Sequence, residues 1–374
     1  MLFSQIPGQE SLKNTLRSSV LNNHIAHAQL FSGQEGNASL ALALAYAAYI
    51  NCEDRTPEDS CGKCSSCLKI NKIIHPDLHF VFPINTTKEI SKDPSCALFM
   101  KHWREFVLHN PYSSLSEWGN FIGAENKQLN ISADEARNIV KTISLKSFEA
   151  EFKVLIIWMV DQMNVNASNA TLKILEEPPE KTIFLLITNS LEKILPTILS
   201  RTQIVRVPPF TDQEVSQHLI DKFEQESKKA TQMAYLADGN MHEAIKLISE
   251  TEEDNHQIFS EWMRSCYRKD IPEMINWTES FQKLAKENQK NFFQYGLNIF
   301  RESLIYKYAD QSILRLNEED LKFIQNFSKV LDHTKIDKIT NELNEASYHI
   351  ERNANAKITF LDLSLNIASI LHSK

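Results

Sequence analysis

The sequence predicts an α/β domain built on a parallel sheet, followed by helices alone, in a chain of 374 residues. Three observations predict it. Up to about residue 208, continuous apolar runs alternate with helix-favouring stretches, the pattern of a parallel sheet covered on both faces. No strand signal returns after Pro208-Pro209. Only 8 glycines and 12 prolines punctuate the chain, too few for a loop-rich all-β sandwich.

The elements follow in order. Apolar residues fall at helical spacing from Leu12 to Leu21, with Ser11 expected to cap the first turn. A short strand at Leu30-Phe31-Ser32 runs into Gly33-Gln34-Glu35-Gly36, and an Ala- and Leu-rich helix is expected from Leu40 to Ile50. Residues 84–131 break the rhythm with mixed polarity and the aromatics Trp103, Phe106, Tyr112 and Trp118, and are expected to be an insertion of no assigned structure. The second and third strands are Lys153 to Met159 and Ile183 to Thr188. Between them a helix over Asn166 to Glu177 is stopped by Pro178-Pro179, since proline supplies no amide and restricts its predecessor. A helix near Leu191 to Leu199 precedes a fourth strand, Gln203 to Val207. The acidic run Glu250-Thr251-Glu252-Glu253-Asp254 marks a second boundary, and a helical bundle follows it. The expected domains are therefore 1–208, 209–250 and 251–374.

Composition narrows the function. Apolar residues at 42% and charged residues at 24% describe a globular chain. Forty basic against 48 acidic side chains give a net charge of −8, the wrong sign for holding nucleic acid through the chain's own phosphate contacts alone. A DNA role needs a local patch or a partner. With no apolar run of about 18 residues and no signal-peptide pattern, the expectation is a soluble, cytoplasmic protein with no membrane partner.

Four of the six cysteines, Cys52, Cys61, Cys64 and Cys67, crowd into sixteen residues, which in a reducing compartment points to a metal. Four thiolates close a tetrahedral zinc site, and the two-residue gaps suit a tight knuckle. His75 and Asp77 lie close by, but four cysteines already saturate the ion, so the zinc is expected to be structural. An iron–sulfur cluster accepts the same donors.

The loop between the first strand and its helix has the position of a phosphate cradle. A working P-loop reads GxxxxGK[ST], but the stretch from Gly33 through Gly36 to Leu40 puts Ala38 at the second glycine, Ser39 at the lysine and Leu40 at the magnesium-binding hydroxyl. Without the cation and the hydroxyl, little would stabilise a β/γ-phosphate with its Mg²⁺. The second strand likewise ends in Trp158-Met159-Val160-Asp161, apolar where a hydrolytic site needs carboxylates. Asp161 comes three residues late and is expected to cap the next helix. Arg201 has two readings. It either bonds the last carbonyls of its own helix or projects as a finger toward a neighbour's γ-phosphate.

In order, these residues resemble the bacterial DNA polymerase III clamp-loader family of the AAA+ superfamily, most closely its delta-prime branch. The resemblance runs from Ile6-Pro7-Gly8-Gln9 through His27-Ala28, the four cysteines, His75-Pro76-Asp77 and Asn169 to Pro179 to Ser200-Arg201-Thr202. It fades after about residue 245, leaving Arg352-Asn353-Ala354-Asn355. Thr202 stands where the family has cysteine, and His242, after Gly239-Asn240-Met241, where it has its sensor-two arginine. The resemblance implies an α/β AAA+ core (parallel sheet, P-loop NTPase-like) with a zinc-binding insertion at 52–67, a small helical lid and an all-α C-terminal collar. It implies a non-hydrolysing stator, with no functional ATP binding of its own, that helps load the sliding clamp onto primed DNA. Its Ser200-Arg201 pair would serve in trans, Arg201 being the finger. The implied partners are the gamma/tau and delta subunits. The chain is also expected to lack the long extension that tau carries. An ATPase with an aberrant P-loop and a zinc-dependent DNA-binding module remain alternatives.

Overall fold

The computed structural model describes residues 1–124, 127–144, 146–250, 255–284, 286–310, 314, 316 and 318–372. The chain forms two compact units, Met1–Glu224 with Ala237–Glu243, and Gln225–Leu236 with Ala244–Lys374. The stretch 209–250 is divided between them. Of the acidic run expected as a boundary, residues 251–254 lie outside the described residues.

In the first unit the strands are β1 (Ala28–Ser32), β2 (Leu78–Val81), β3 (Lys153–Ile157), β4 (Thr182–Thr188) and β5 (Gln203–Arg206). They form one parallel sheet in the order β2-β3-β4-β1-β5. Every residue of β3 and β4 is buried, as continuous apolar runs require of inner strands of a covered sheet. The helices of this unit are α1 (Glu10–Leu21), α2 (Ser39–Ile50), α3 (Ser65–Asn71), α4 (Cys96–His109), α5 (Leu115–Phe121), α6 (Ala133–Ile143), α7 (Val165–Glu176), α8 (Pro196–Leu199) and α9 (Asp212–Phe223). α2 is buried all round, which its run of Ala and Leu permits.

Several expectations are corrected. Ser11 does not cap α1; it lies inside the helix, and the cap position is Gln9, whose left-handed backbone turns the chain without a side-chain bond. The helix expected over 191–199 is a 3-10 turn, Leu191–Lys193, and the single turn α8, because Pro196 can only begin a helix. Edge strand β2 gives too short a signal in Leu-His-Phe-Val to be read alone. Within its described residues the 84–131 segment adds helices to the unit's core. It contains α4 and α5 and returns through a bridge between Ile84 and Asn130. Phe99, Trp103, Phe106 and Val107 fall at one-face helical spacing in α4 and are all buried.

The secondary-structure elements of the second unit are all helices among its described residues. After α10 (Ser227–Ala237) and α11 (Met241–Glu250), which each begin or end in the first unit, come α12 (Asn255–Arg268), α13 (Ile271–Lys283), α14 (Lys286–Tyr308), α15 (Glu318–Phe327), α16 (His333–Glu351) and α17 (Ala356–His372). Its core mixes aliphatic side chains such as Ile336, Ile339 and Leu343 with aromatic ones. Phe281 stacks on Phe360 at 4.1 Å, and the Trp262 indole donates to Ser364 Oγ at 2.9 Å.

Candidate functional site

The four cysteines converge. Their sulfurs all lie within 4.8 Å of one another, with Cys52 and Cys67 buried and Cys61 and Cys64 half-buried. Four sulfurs about 2.3 Å from one zinc ion stand roughly 3.8 Å apart, so a cluster this close is compatible with a tetrahedral site. The backbone is arranged for thiolates as well. The amides of Cys61, Cys64 and Cys67 point at the sulfurs of Cys52, Cys61 and Cys64 at 3.2, 3.3 and 3.4 Å. Cys64 is also the cap of α3, so the knuckle and the helix start are one structure. Burial raises the Cys61 pKa, but the amides of Lys63 and Cys64 and the neighbouring sulfurs outweigh it and bring it to about 7. Burial holds the Cys52 and Cys67 thiols above their usual range. A cation among the four is what would let all of them ionise.

His75 and Asp77 serve the fold beside this cluster. The Asp77 carboxylate accepts the amides of Phe148, Glu149 and Ala150 at 2.6, 2.8 and 2.8 Å. Burial would raise its pKa, but these three amides outweigh that and hold it below the ordinary carboxylate value. His75 Nδ1 accepts the Asp77 amide at 3.1 Å, and its Nε2 lies 3.4 Å from Glu149 Oε1.

In a parallel sheet the C-terminal strand ends share one edge, where ligands bind. The loop after β1, the residues after β3 and Thr188 at the end of β4 all meet there. The Gly33 amide reaches Thr188 O at 3.4 Å, and Thr188 Oγ1 donates to Asp161 Oδ1 at 2.8 Å. The loop is closed on itself. Asn37 Oδ1 takes the Ser39 amide at 2.6 Å, the first amide of α2, which a cradle would turn toward phosphate. A Cβ on Gly33 would fall 2.3 Å from Asn37 Nδ2, and one on Gly36 only 1.7 Å from Asn240 Oδ1. The Met241 amide donates to Gly36 O at 3.1 Å, so residues 240–241 sit directly on the loop. Leu40 is buried, and Ser39 Oγ is buried without a hydrogen-bond partner.

The end of β3 is closed by the 84–131 segment. The Trp158 ring lies 5.1 Å from that of Trp103 and 6.2 Å from that of Phe106, and Trp103 in turn stacks on Phe82 at 4.3 Å. Trp158 is 2% exposed and Met159 is buried, so the positions where carboxylates would hold Mg²⁺ belong to an aromatic core. Asp161 does not cap α7; Asn164 does, accepting the Ala167 amide at 2.8 Å. Asp161 lies in a 3-10 turn, where it also accepts Gln162 Nε2 at 2.7 Å.

The segment places charge as well as bulk against the loop. Glu117 of α5 brings Oε2 to 3.4 Å from His242 Nδ1. Burial, with repulsion from Glu243 and Glu117, raises the Glu35 pKa despite the opposing His242. Carboxylates gathered around a loop that lacks its lysine oppose a polyphosphate.

Arg201, which follows α8, does bond a carbonyl of its own helix, with Nη1 donating to Thr197 O at 2.8 Å and to Ser200 Oγ at 3.2 Å. Ser200 Oγ donates to the same carbonyl at 3.2 Å. Nε donates to Glu176 Oε1 at 2.7 Å, and Nη2 shares that acceptor. The Arg201 side chain stays 31% exposed. Glu117, Trp103, Asn37, Asn240 and Glu176 had no role in the sequence reading. Only the helical spacing of the aromatics in α4 carried a usable signal.

The family model described as "DNA polymerase III, delta subunit" matches residues 8–211. The chain is 24% identical over 365 residues to DNA polymerase III subunit tau of Bacillus subtilis, covering 92% of this chain and 54% of that protein. It is 27% identical over 214 residues to DNA polymerase III subunit delta' of Bacillus subtilis, covering 57% of this chain and 52% of that protein. DNA polymerase III subunit tau/gamma of Haemophilus influenzae is 25% identical over 253 residues, 66% of this chain and 30% of that protein. The chain thus spans about half the length, or less, of these relatives.

Proposed function

Because the chain belongs to the DNA polymerase III delta-subunit family, we propose that it is the non-hydrolysing stator of a clamp loader, a delta-prime-type subunit that completes a neighbour's ATP site with Arg201. One observation carries this reading. The strand end that would hold catalytic carboxylates is filled by Trp158 against Trp103, while Arg201 remains at the surface. A ruined site in cis beside a usable arginine in trans is the combination a stator needs. The self-capped loop at Asn37, buried Leu40 and the Glu117–His242 contact favour the same conclusion, that no ATP is bound productively.

Cys52, Cys61, Cys64 and Cys67 would hold one structural zinc, which leaves no open coordination position for chemistry. Residues 209–250 would serve as the lid and 251–374 as the oligomerising collar. The partners would be tau/gamma- and delta-type subunits, with the sliding clamp and primed DNA met through the assembly in the cytoplasm.

Co-purification with those subunits and with the clamp tests the assignment, alongside ATP turnover by the chain alone. The expected result is a stable complex and no magnesium-dependent turnover by the isolated chain. Turnover that follows the chain through purification would instead make it an ATPase with an aberrant loop. Salt-dependent DNA binding by the isolated chain, without complex formation, would favour a DNA-binding module.

A further inference from the structure

Arg201 is held from two sides by its own chain. A guanidinium has five N–H donors, and four contacts are made here: Nε and Nη2 to Glu176 Oε1, and Nη1 to both Thr197 O and Ser200 Oγ. By that count one N–H on Nη2 remains. A two-pronged contact with a phosphate needs two parallel donors. In this arrangement the arginine cannot make one, and the Glu176 carboxylate already neutralises its charge.

We infer that Glu176 is a latch on Arg201, holding the guanidinium in cis until the γ-phosphate of a neighbouring subunit displaces the carboxylate. The inference rests on the reading of Arg201 as a finger and adds the regulation of that site. Glu176 is the last residue of α7, immediately before Glu177-Pro178-Pro179, so the prolines stop the helix just beyond the carboxylate. The pair is partly exposed, with the Glu176 side chain 47% accessible. An exposed ion pair is weak, so a polyphosphate carrying more charge than one carboxylate can displace it. Thr197 O, by contrast, is a neutral backbone acceptor that steers the guanidinium without competing for its charge.

The test uses assemblies of this chain with tau/gamma- and delta-type subunits, read by ATP hydrolysis in the absence of clamp and DNA. Glu176→Gln should raise this unstimulated rate roughly two- to fivefold, the population that an exposed pair withholds. It should leave the stimulated maximum unchanged. The same substitution in an Arg201→Ala background should do nothing, since a latch acts only through what it holds. Glu176→Ala serves as the second variant. If both Glu176 variants leave the unstimulated rate unchanged or lower it while Arg201→Ala weakens stimulated hydrolysis, the latch is wrong and the finger stands. If Arg201→Ala has no effect, finger and latch fall together.

Discussion

The indole of Trp158 lies 5.1 Å from that of Trp103, centroid to centroid, and this contact joins the end of β3 to the helix α4 of the 84–131 segment. Trp158 is thereby a core position. Trp158→Ala should therefore cost about 3–5 kcal/mol of stability, as for other buried aromatics. Trp158→Asp should cost at least as much, since it buries a carboxylate without a cation. Neither variant, nor Ser39→Lys, should bind or turn over MgATP, because the loop is still capped by Asn37. Denaturant melts and titration with a fluorescent nucleotide check both halves. Tight MgATP binding by Ser39→Lys alone would show that the loop opens more easily than its contacts indicate.

One zinc per chain is expected by elemental analysis of protein purified without added metal. An iron–sulfur absorption band would point to the other ion that accepts four cysteines. Cys64→Ser should lower zinc occupancy and destabilise the region around α3 together, because Cys64 is both a donor and the helix cap. Chelator treatment of the wild type should reproduce the variant's loss in thermal stability.

Arg201→Ala should leave the chain folded, with a stability change of about 0.3–1 kcal/mol from the lost helix-carbonyl contact. In a reconstituted assembly the proposed finger role predicts depressed clamp- and DNA-stimulated hydrolysis at one neighbouring site. Arginine fingers are worth on the order of 10³–10⁵ in rate at a single site, so the total loss in a ring of several motors is smaller. Arg201→Lys should behave nearly as badly, because an ammonium cannot reproduce the planar two-pronged contact. Normal clamp-loading rates with Arg201→Ala would reduce the residue to a helix cap.

Acid should destabilise the first unit through two groups, His218 and Asp77. His218, 9% exposed, lines a groove with Tyr112, and burial with the nearby Lys222 brings its pKa down from 6.5 to about 4 despite Asp221. Between those values the unfolded chain binds the proton and the folded one does not, so stability falls as pH drops from about 6.5 to 4, by up to about 3 kcal/mol. His218→Phe should flatten that slope, as read from melting temperatures at pH 7 and pH 5. The Asp77 contribution has the depressed-carboxylate sign. It is fully present above the unfolded value of 3.8 and is lost as pH falls further through the folded one. Asp77→Ala should cost about 2–3 kcal/mol at neutral pH, because three amides lose a charged acceptor.

β3 and β4 were legible because each is built on a continuous apolar run, and the run is itself the reason they are buried. Edge strand β2 was not, since His79 interrupts four residues that gain their conformation only by pairing with β3. The loop after β1 was readable, residue by residue, as departing from the P-loop pattern. Its closure was not, because Asn240 and Met241 reach it from far along the chain. Ser11 and Asp161 were each assigned a cap that Gln9 and Asn164 occupy instead. A polar residue near a helix start fixes the boundary only to within a few positions, and the backbone turn decides which residue takes it.

The sequence by itself determined the donor set of the four-cysteine cluster and the departures of Ser39, Leu40, Trp158 and Met159 from a P-loop and an acidic strand end. It also determined the presence of Arg201. These are properties of residue identity and local spacing, which chain folding does not alter. Only the tertiary structure decided that the 84–131 segment packs against the end of β3 and the loop after β1, through Trp103 on Trp158 and Glu117 near His242, and that Glu176 holds Arg201. Those contacts join residues brought together by the packing of separate elements, and no local pattern along the chain encodes which distant side chain fills a given space.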